Sequence, residues 1–377
     1  MRTRLLAGLV LVAGAVTACS GTADRAHQPV PVQIAELHMV SGTDGWASTS
    51  SNTLIRTTDG GHTWHSVENC PTQKIVPVGT GELWTAGNDN TGTISVCHTT
   101  NGGDTWQTSS FHTDADASIV AITAPDAHDV WVETGIPQGM HSNSPIGIFG
   151  STDTGKTWQE VASSGDATSG LVASCAQDLA FAGATTGWLV GGCAQNNGAA
   201  PGGPIVPHIQ TSTDGGRHWS AQPLSGEAQT EYTSLCTQQD DCVFSLPTFA
   251  GANGIVVGTA GGKLDTSLTV FATNDTGRTW SAATGPSLPP LATVDLDVAS
   301  PQVVLALVNG TKVPTLNETM DGGRTWGAVP VPPTNDPYHW TPQFVTAYVG
   351  FLSENNKLEA TVDDGRHWRS ISPVLVR

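Results

Sequence analysis

Carboxylates are the most abundant reactive side chains of this chain, 33 Asp and Glu against 15 Lys and Arg. Two of them suitably spaced suffice to hydrolyse a glycosidic bond. Glu133, Glu231, Asp240 and Asp241 are the ones that the strand pattern places near one loop face. With so many acids such neighbours arise by chance, and solvated surface is the plainer reading. His141, His208 and His339 fall on the same side, yet their spacing matches no metal-ligand motif. There is no Gly-x-Ser-x-Gly elbow in strand–turn–helix context to present a nucleophile, and no Cys-x-x-Cys pair to form a redox or zinc site. No catalytic residue, metal or cofactor is therefore assigned. The formal charge of −18 disfavours nucleic acid and anionic lipid headgroups as partners.

The elements that must position these groups come from a repeat. Seven octapeptides begin at Thr57, Thr99, Ser151, Ser212, Thr273, Thr319 and Thr361, at intervals of 42 to 61 residues. They share a hydroxyl residue, then an acid or amide, then Gly, then Trp. The third and eighth positions are Asp59 and Trp64, Asn101 and Trp106, Asp153 and Trp158, Asp214 and Trp219, Asp275 and Trp280, Asp321 and Trp326, and Asp363 and Trp368. The fifth-position Gly supplies a positive φ without a Cβ clash. The hydroxyl and the carboxylate tie the turn to its own backbone. The Trp fills the gap between neighbouring sheets while its indole N–H seeks a partner. Short alternating runs surround each copy, as in Ser118 to Thr123, Asp129 to Glu133 and Ile146 to Ser151, and these read as antiparallel strands. A repeat of this period implies stacked supersecondary units.

The octapeptide resembles the Asp-box, or BNR repeat, across nearly all of the chain after residue 30. The resemblance implies an all-β, seven-bladed β-propeller of four-stranded antiparallel blades, the box turning between strands three and four. Asn101 in place of Asp, and His218 and His367 in place of Thr, depart from the pattern without preventing the turn. Sialidases share this repeat, and similarity to them implies three arginines converging on a carboxylate. Here Arg217, Arg278, Arg324 and Arg366 lie inside boxes, Arg56 immediately precedes one, and Arg25 lies near the N-terminus. Only Arg369 and Arg377 remain in the mature chain, too few for that triad. The Gly45-Trp46 and Gly187-Trp188 strand starts resemble those of non-catalytic single propellers of the photosystem II stability and assembly factor type. That likeness implies a scaffold or assembly role. It does not carry over that family's basic binding patch, because this chain is acidic.

Residues 1–18 read as an export signal, with Arg2 and Arg4 ahead of an apolar run from Leu5 to Val16. That run is too short to cross a bilayer, which takes about 20 residues. Val16-Thr17-Ala18-Cys19 resembles the bacterial lipobox and implies lipid (diacylglycerol and palmitate) on Cys19, with 19–28 as a tether and 29–377 as the propeller. Cysteine arithmetic agrees: setting Cys19 aside leaves six, enough for three bridges in an oxidising compartment. Sequence order suggests Cys70–Cys97, Cys175–Cys193 and Cys236–Cys242 among the 15 possible pairings. The expected location is the outer face of the cytoplasmic membrane, and the Ala/Gly/Thr-rich, Lys-poor composition suggests a high-GC bacterium.

Insertions swell the repeat at Gly135 to Gly147, Gly191 to His208, Ser225 to Asp241 and Ala260 to Thr266, all on the face away from the boxes by this strand reading. Loops over a rigid scaffold concentrate binding residues. The reading is a monomeric, non-enzymatic, lipid-anchored binding or scaffold module that recognises a protein or cell-envelope glycan through blades three to five. The alternative is a cell-surface glycoside hydrolase or glycan-binding protein.

Overall fold

Each repeat contains one strand that is buried along most of its length, and such a strand needs cover on both sides. Val304–Val308 is the clearest case. Val304, Ala306 and Val308 pack in one cluster with Ile255, Val257 and Leu268 of the preceding repeat. Leu305 and Leu307 pack in another with Phe344 and Leu352 of the following one. Val130 and Val132 likewise face Trp84 and Ile94 behind them, while Trp131 faces Leu179 and Phe181 ahead. Each fully buried Leu or Val contributes about 1.5–3 kcal/mol. Sheets stacked face to face in this way, each twisted relative to the next, close into a ring.

The computed structural model describes residues 30–376 other than 68–69, 90, 115, 136–144, 173–175, 195–204, 223, 225–240, 262–265, 287, 289–293, 310–313, 333–339 and 355–356. At 176–177, 192–194, 205–208, 241–243, 261 and 284 it describes the backbone alone. It is a seven-bladed, all-β propeller without helices among these residues. Blade one is Ile34–Met39, Gly45–Thr49, Leu54–Thr57 and Thr63–Ser66; blade two is Lys74–Gly79, Glu82–Asn88, Thr93–Thr99 and Gln107–His112. Blade three is Ser118–Thr123, Val130–Gly135, Ile146–Ser151 and Gln159–Ser163; blade four is Ala176–Ala182, Thr186–Ala194, Ile205–Ser212 and Ser220–Ala221. In blade five the first strand is broken into Asp241–Phe244 and Thr248–Ala250, both pairing with Asn253–Gly261, followed by Thr266–Thr273 and Ser281–Thr284. Blade six is Val294–Val298, Val304–Val308, Thr315–Thr319 and Gly327–Val329; blade seven is Thr341–Phe344, Gly350–Glu354, Lys357–Thr361 and Arg369–Ile371. First strands of neighbouring blades approach one another, so they surround the axis. Fourth strands such as Gln107–His112 are largely exposed and polar.

Ring closure uses both ends of the described chain. Val374–Val376 pairs in parallel with Thr63–Ser66 and antiparallel with Val30–Pro31. The Val32 N–H donates to Pro373 O (3.2 Å), and Arg369 Nη2 meets His62 Nε2 at 2.8 Å. Non-local pairing of this kind leaves no local sequence signature.

The boxes fold as their residue types dictate. Thr57 Oγ1 donates to Asp59 Oδ1 (2.9 Å) and accepts from Gly61 N–H (3.0 Å), while Asp59 accepts from Thr63 N–H (2.9 Å) and Thr63 Oγ1 (2.6 Å). The atypical copies preserve the geometry. Asn101 accepts from Thr105 N–H (3.0 Å) and donates through its amide to Thr105 Oγ1 (2.9 Å). His218 and His367 bring Nδ1 to 2.6 and 2.7 Å from Asp214 and Asp363. These bonds hold Asp153, Asp275 and Asp321 near pKa 2, well below the usual carboxylate range.

Two features were not visible in the repeat. The fourth position is left-handed as well as the fifth, even where it is Thr154 (φ 69), Thr276 (φ 61) or Asp364 (φ 60). Its N–H donates to the turn between the first two strands of the same blade, as Gly60 does to Thr43 O (2.8 Å) and Gly322 to Gln302 O (3.0 Å). The box Trp indoles also divide. Those of Trp64, Trp106, Trp219, Trp280 and Trp326 donate to their own fifth-position carbonyl at 2.8–3.2 Å. Trp158 instead reaches Ser109 Oγ (3.0 Å), and Trp368 reaches Pro330 O (2.7 Å), each in the preceding blade.

Candidate functional site

The hydrogen bonds from box to first turn place both on one face. The turns between strands two and three, and the connections between blades, therefore emerge on the other. The stems of the expected insertions stand there: Val130–Gly135 with Ile146–Ser151, Thr186–Ala194 with Ile205–Ser212, and Asn253–Gly261 with Thr266–Thr273. The insertions themselves lie mostly outside the described residues.

First strands run from this loop face toward the boxes, so their early residues line the mouth of the axis. Among the described first strands these include Glu36, Asp178 and Asp295, against Lys74 as the one Lys or Arg. Glu36 contacts His38 at 2.9 Å. Although burial would raise its pKa, the His38 hydrogen bond and the charges of His38 and Lys74 hold it below the usual value. Asp178 is open to water yet hemmed in by protein, and desolvation raises its carboxyl against a bond from Leu179 N–H and the pull of Lys74. Asp295 is raised by desolvation while accepting from Asn309 Nδ2 at 2.6 Å.

Glu133 lies behind this lining, midway along the second strand of blade three, opposite Ala121 and Ile148 and near enough to Asp178 and Lys74 to feel their charges. It is fully buried, and neither carboxylate oxygen has a hydrogen-bond partner among the described residues. Burial first, and the charge of Asp178 second, push its pKa up to about 8, with Lys74 opposing. A buried acid without a partner is costly to a fold and concentrates at functional sites. Burial thus favours the protonated form of Glu133 over the carboxylate.

Of the other expected site residues, Asp241 begins the first strand of blade five at the same mouth, opposite Gly261, and His208 lies in blade four opposite Gly191. The side chains of both lie outside the described residues, as do Glu231, Asp240, His141 and His339 altogether. No group of three or more His, Cys, Asp or Glu placed to hold a metal occurs among the described residues. The Cys70–Cys97 disulfide is formed, with Cα atoms 6.1 Å apart, and pins the approach to blade two onto its third strand. The suggested pairings Cys175–Cys193 and Cys236–Cys242 lie outside the described residues, as do Cys19 and all of residues 1–29. Sequence reasoning found Glu133 only as one acid among many. Its distinguishing sign was its place inside an otherwise apolar strand, Val130-Trp131-Val132-Glu133.

No family model matches this chain, and no curated protein matches it in sequence. Solved structures do match in fold. YCF48 bound to a D1 peptide is 18% identical with a TM-score of 0.56, the match covering 89% of this chain and 94% of that one. YCF48 from Cyanidioschyzon merolae is 15% identical with a TM-score of 0.54, covering 90% and 97%. The GH74 xyloglucanase from Xanthomonas campestris is 14% identical with a TM-score of 0.56, covering 92% of this chain and 54% of the enzyme, so the chain spans about half of that protein. At these identities the likeness is one of fold, and it joins this chain to peptide-binding and glycan-cleaving propellers alike.

Proposed function

We propose that this protein is a non-enzymatic binding or scaffold module, exported and held by lipid on Cys19 at the outer face of the membrane. It recognises a protein or cell-envelope glycan through the face opposite the boxes, on blades three to five. The observation that carries this reading is the mouth of that face. Acidic side chains and the stems of the longest insertions gather there, with Glu133 buried behind them and unbonded among the described residues. The peptide held by YCF48, a propeller of the same fold, supports recognition of polypeptide by such a scaffold. The acidic character of this chain's mouth favours a partner segment bearing Lys or Arg.

Chemical crosslinking of the membrane-bound protein, followed by mass spectrometry, tests the reading. The expected result is a specific crosslinked partner that disappears on deletion of Asn196 to Gly203. Unchanged crosslinking by the deletion variant argues against this face. Cys19→Ala is expected to move the protein from the membrane to the soluble fraction.

A glycoside hydrolase reading has one feature in its favour, the raised carboxyl of Glu133 within reach of the charge of Asp178, since an acid and a carboxylate are what that chemistry requires. Against it, Glu133 has no exposed surface with which to meet a glycosidic oxygen. Release of reducing sugar from cell-wall polysaccharide, abolished by Glu133→Gln, would reverse the choice.

A further inference from the structure

The box face carries a second recurrent feature, the notch between successive blades. Its walls are drawn from corresponding positions: the residue before one box, the start of that blade's second strand, and the first turn and fourth box position of the next blade. Between blades one and two the notch is filled from within. Arg56, immediately before the first box, lies over the Trp46 ring at 5.3 Å, approaches Asp44 at 3.8 Å and donates to Thr80 O at 2.9 Å. Gly102 leaves it room, since a Cβ there would stand 2.3 Å from Arg56 Nη1. Between blades two and three His98 does the same, stacked on Trp84 with ring centroids 3.9 Å apart and 3.0 Å from Glu82.

Between blades five and six the occupant is missing. The residue before the box is Ala272, and in the fourth strand Ala283 stands where blade one has Val67, the side chain that packs under Gly103. The result is a cavity of about 560 Å³, against about 260 Å³ at the corresponding notch between blades three and four, where Gly150 precedes the box. The chemistry of the walls has changed with the vacancy. Asn253 replaces the acid of the filled notches and Ile255 replaces the Trp, so the cation-holding pair is gone. Asn253, Asn274, Gln302 and Arg324 line the cavity, and their side-chain heads make no hydrogen bond or ion pair among the described residues. Asp321, also in the lining, is held by Thr319 and Thr325 of its own box and balances Arg324 in charge. Trp280 and Ala282 add apolar surface.

Amide and guanidinium donors, amide and carbonyl acceptors, balanced charge and an apolar floor match vicinal hydroxyls on a pyranose, which donate and accept together. We propose that the notch between blades five and six is a binding site for a neutral oligosaccharide, on the face opposite the partner surface proposed above. It is independent of that surface, so the two readings fail separately.

The test is titration calorimetry on the soluble Cys19→Ala protein with maltotriose, cellotriose, laminaritriose, chitotriose and mannotriose, with trigalacturonate as the anionic comparison. At least one neutral trisaccharide is expected to bind, and more tightly than trigalacturonate. Ala272→Arg, which plugs the notch as Arg56 plugs its own, is expected to weaken that binding by about tenfold or more. The doubly substituted surface variant Asn253→Ala with Gln302→Ala is expected to weaken it similarly without touching the fold. Three results overturn the proposal: no neutral trisaccharide binds, trigalacturonate binds better than all of them, or binding is indifferent to the doubly substituted variant.

Discussion

The two faces of this propeller differ in how completely their polar groups are satisfied. On the box face the turn hydroxyls, the third-position carboxylates or amide and the fourth-position N–H groups find partners in a frame repeated seven times. At the mouth of the other face Glu133 is buried with neither oxygen bonded, and Asp178 and Asp295 are raised by desolvation. A satisfied frame confers stability and a unique geometry; an unsatisfied acid lowers stability and is retained where it serves recognition or chemistry. The contrast is what motivates the proposal that the box face chiefly holds the ring and the mouth binds.

Substitutions on the two faces should therefore change stability in opposite directions. Trp64 is fully buried between blades one and seven, and Trp64→Ala is expected to cost about 3–5 kcal/mol in urea unfolding. Trp368→Ala should cost clearly less, because that ring is only partly buried and bonds to the neighbouring blade. Equal losses would remove the distinction between the two kinds of box.

At the mouth the expected sign is reversed. The pKa of Glu133 is raised on folding, so the folded state holds the proton more tightly. Its contribution is full below the unfolded value of about 4.5 and is lost as pH rises to about 8. Glu133→Gln is expected to flatten this decline and to exceed the native protein in stability at pH 8 and above by a few kcal/mol. Melting curves at pH 5, 6.5 and 8 check this; parallel curves for the two proteins would show that Glu133 is not protonated in the fold. The box carboxylates behave oppositely. Their pKa values are depressed, so the stability they provide is present at neutral pH and lost as pH falls toward about 2.

A smaller effect is expected at the filled notch. Arg56→Ala should cost about 1–2 kcal/mol, through lost stacking on Trp46 and the lost bond to Thr80 O. Smallest of all, Thr276→Gly relieves a left-handed residue at φ 61 and should be neutral or stabilising by up to about 1 kcal/mol. A marked loss there would mean that the Thr276 hydroxyl, which donates to Asp275 O at 2.6 Å, matters more than its backbone strain.

How much of this was legible in the sequence follows from the range of each interaction. The box hairpins were readable because the hydroxyl and carboxylate bonds that close them span at most four residues, as from Asp59 to Thr63. Seven of them in register were enough to read the blade number and strand layout. The left-handed fourth position was not readable, because Gly, Thr and Asp all occupy it and no single residue type marks it. Nor was the pairing of Val374–Val376 with blade one, which joins residues some 300 apart in the chain and is encoded by no local motif. The notches require the register of one blade against the next: Arg56 and Ala272 occupy the same position, and only the fold shows that one fills a space the other leaves open.

Charge reversal tests the proposal that partner recognition belongs to the mouth and not to the box face. Crosslinking yields from membranes should be compared for the native protein, for Glu36→Lys combined with Asp178→Lys, and for Ala272→Arg. The account predicts that the double reversal loses the partner while Ala272→Arg keeps it. A partner retained at the native yield by the double reversal would contradict it.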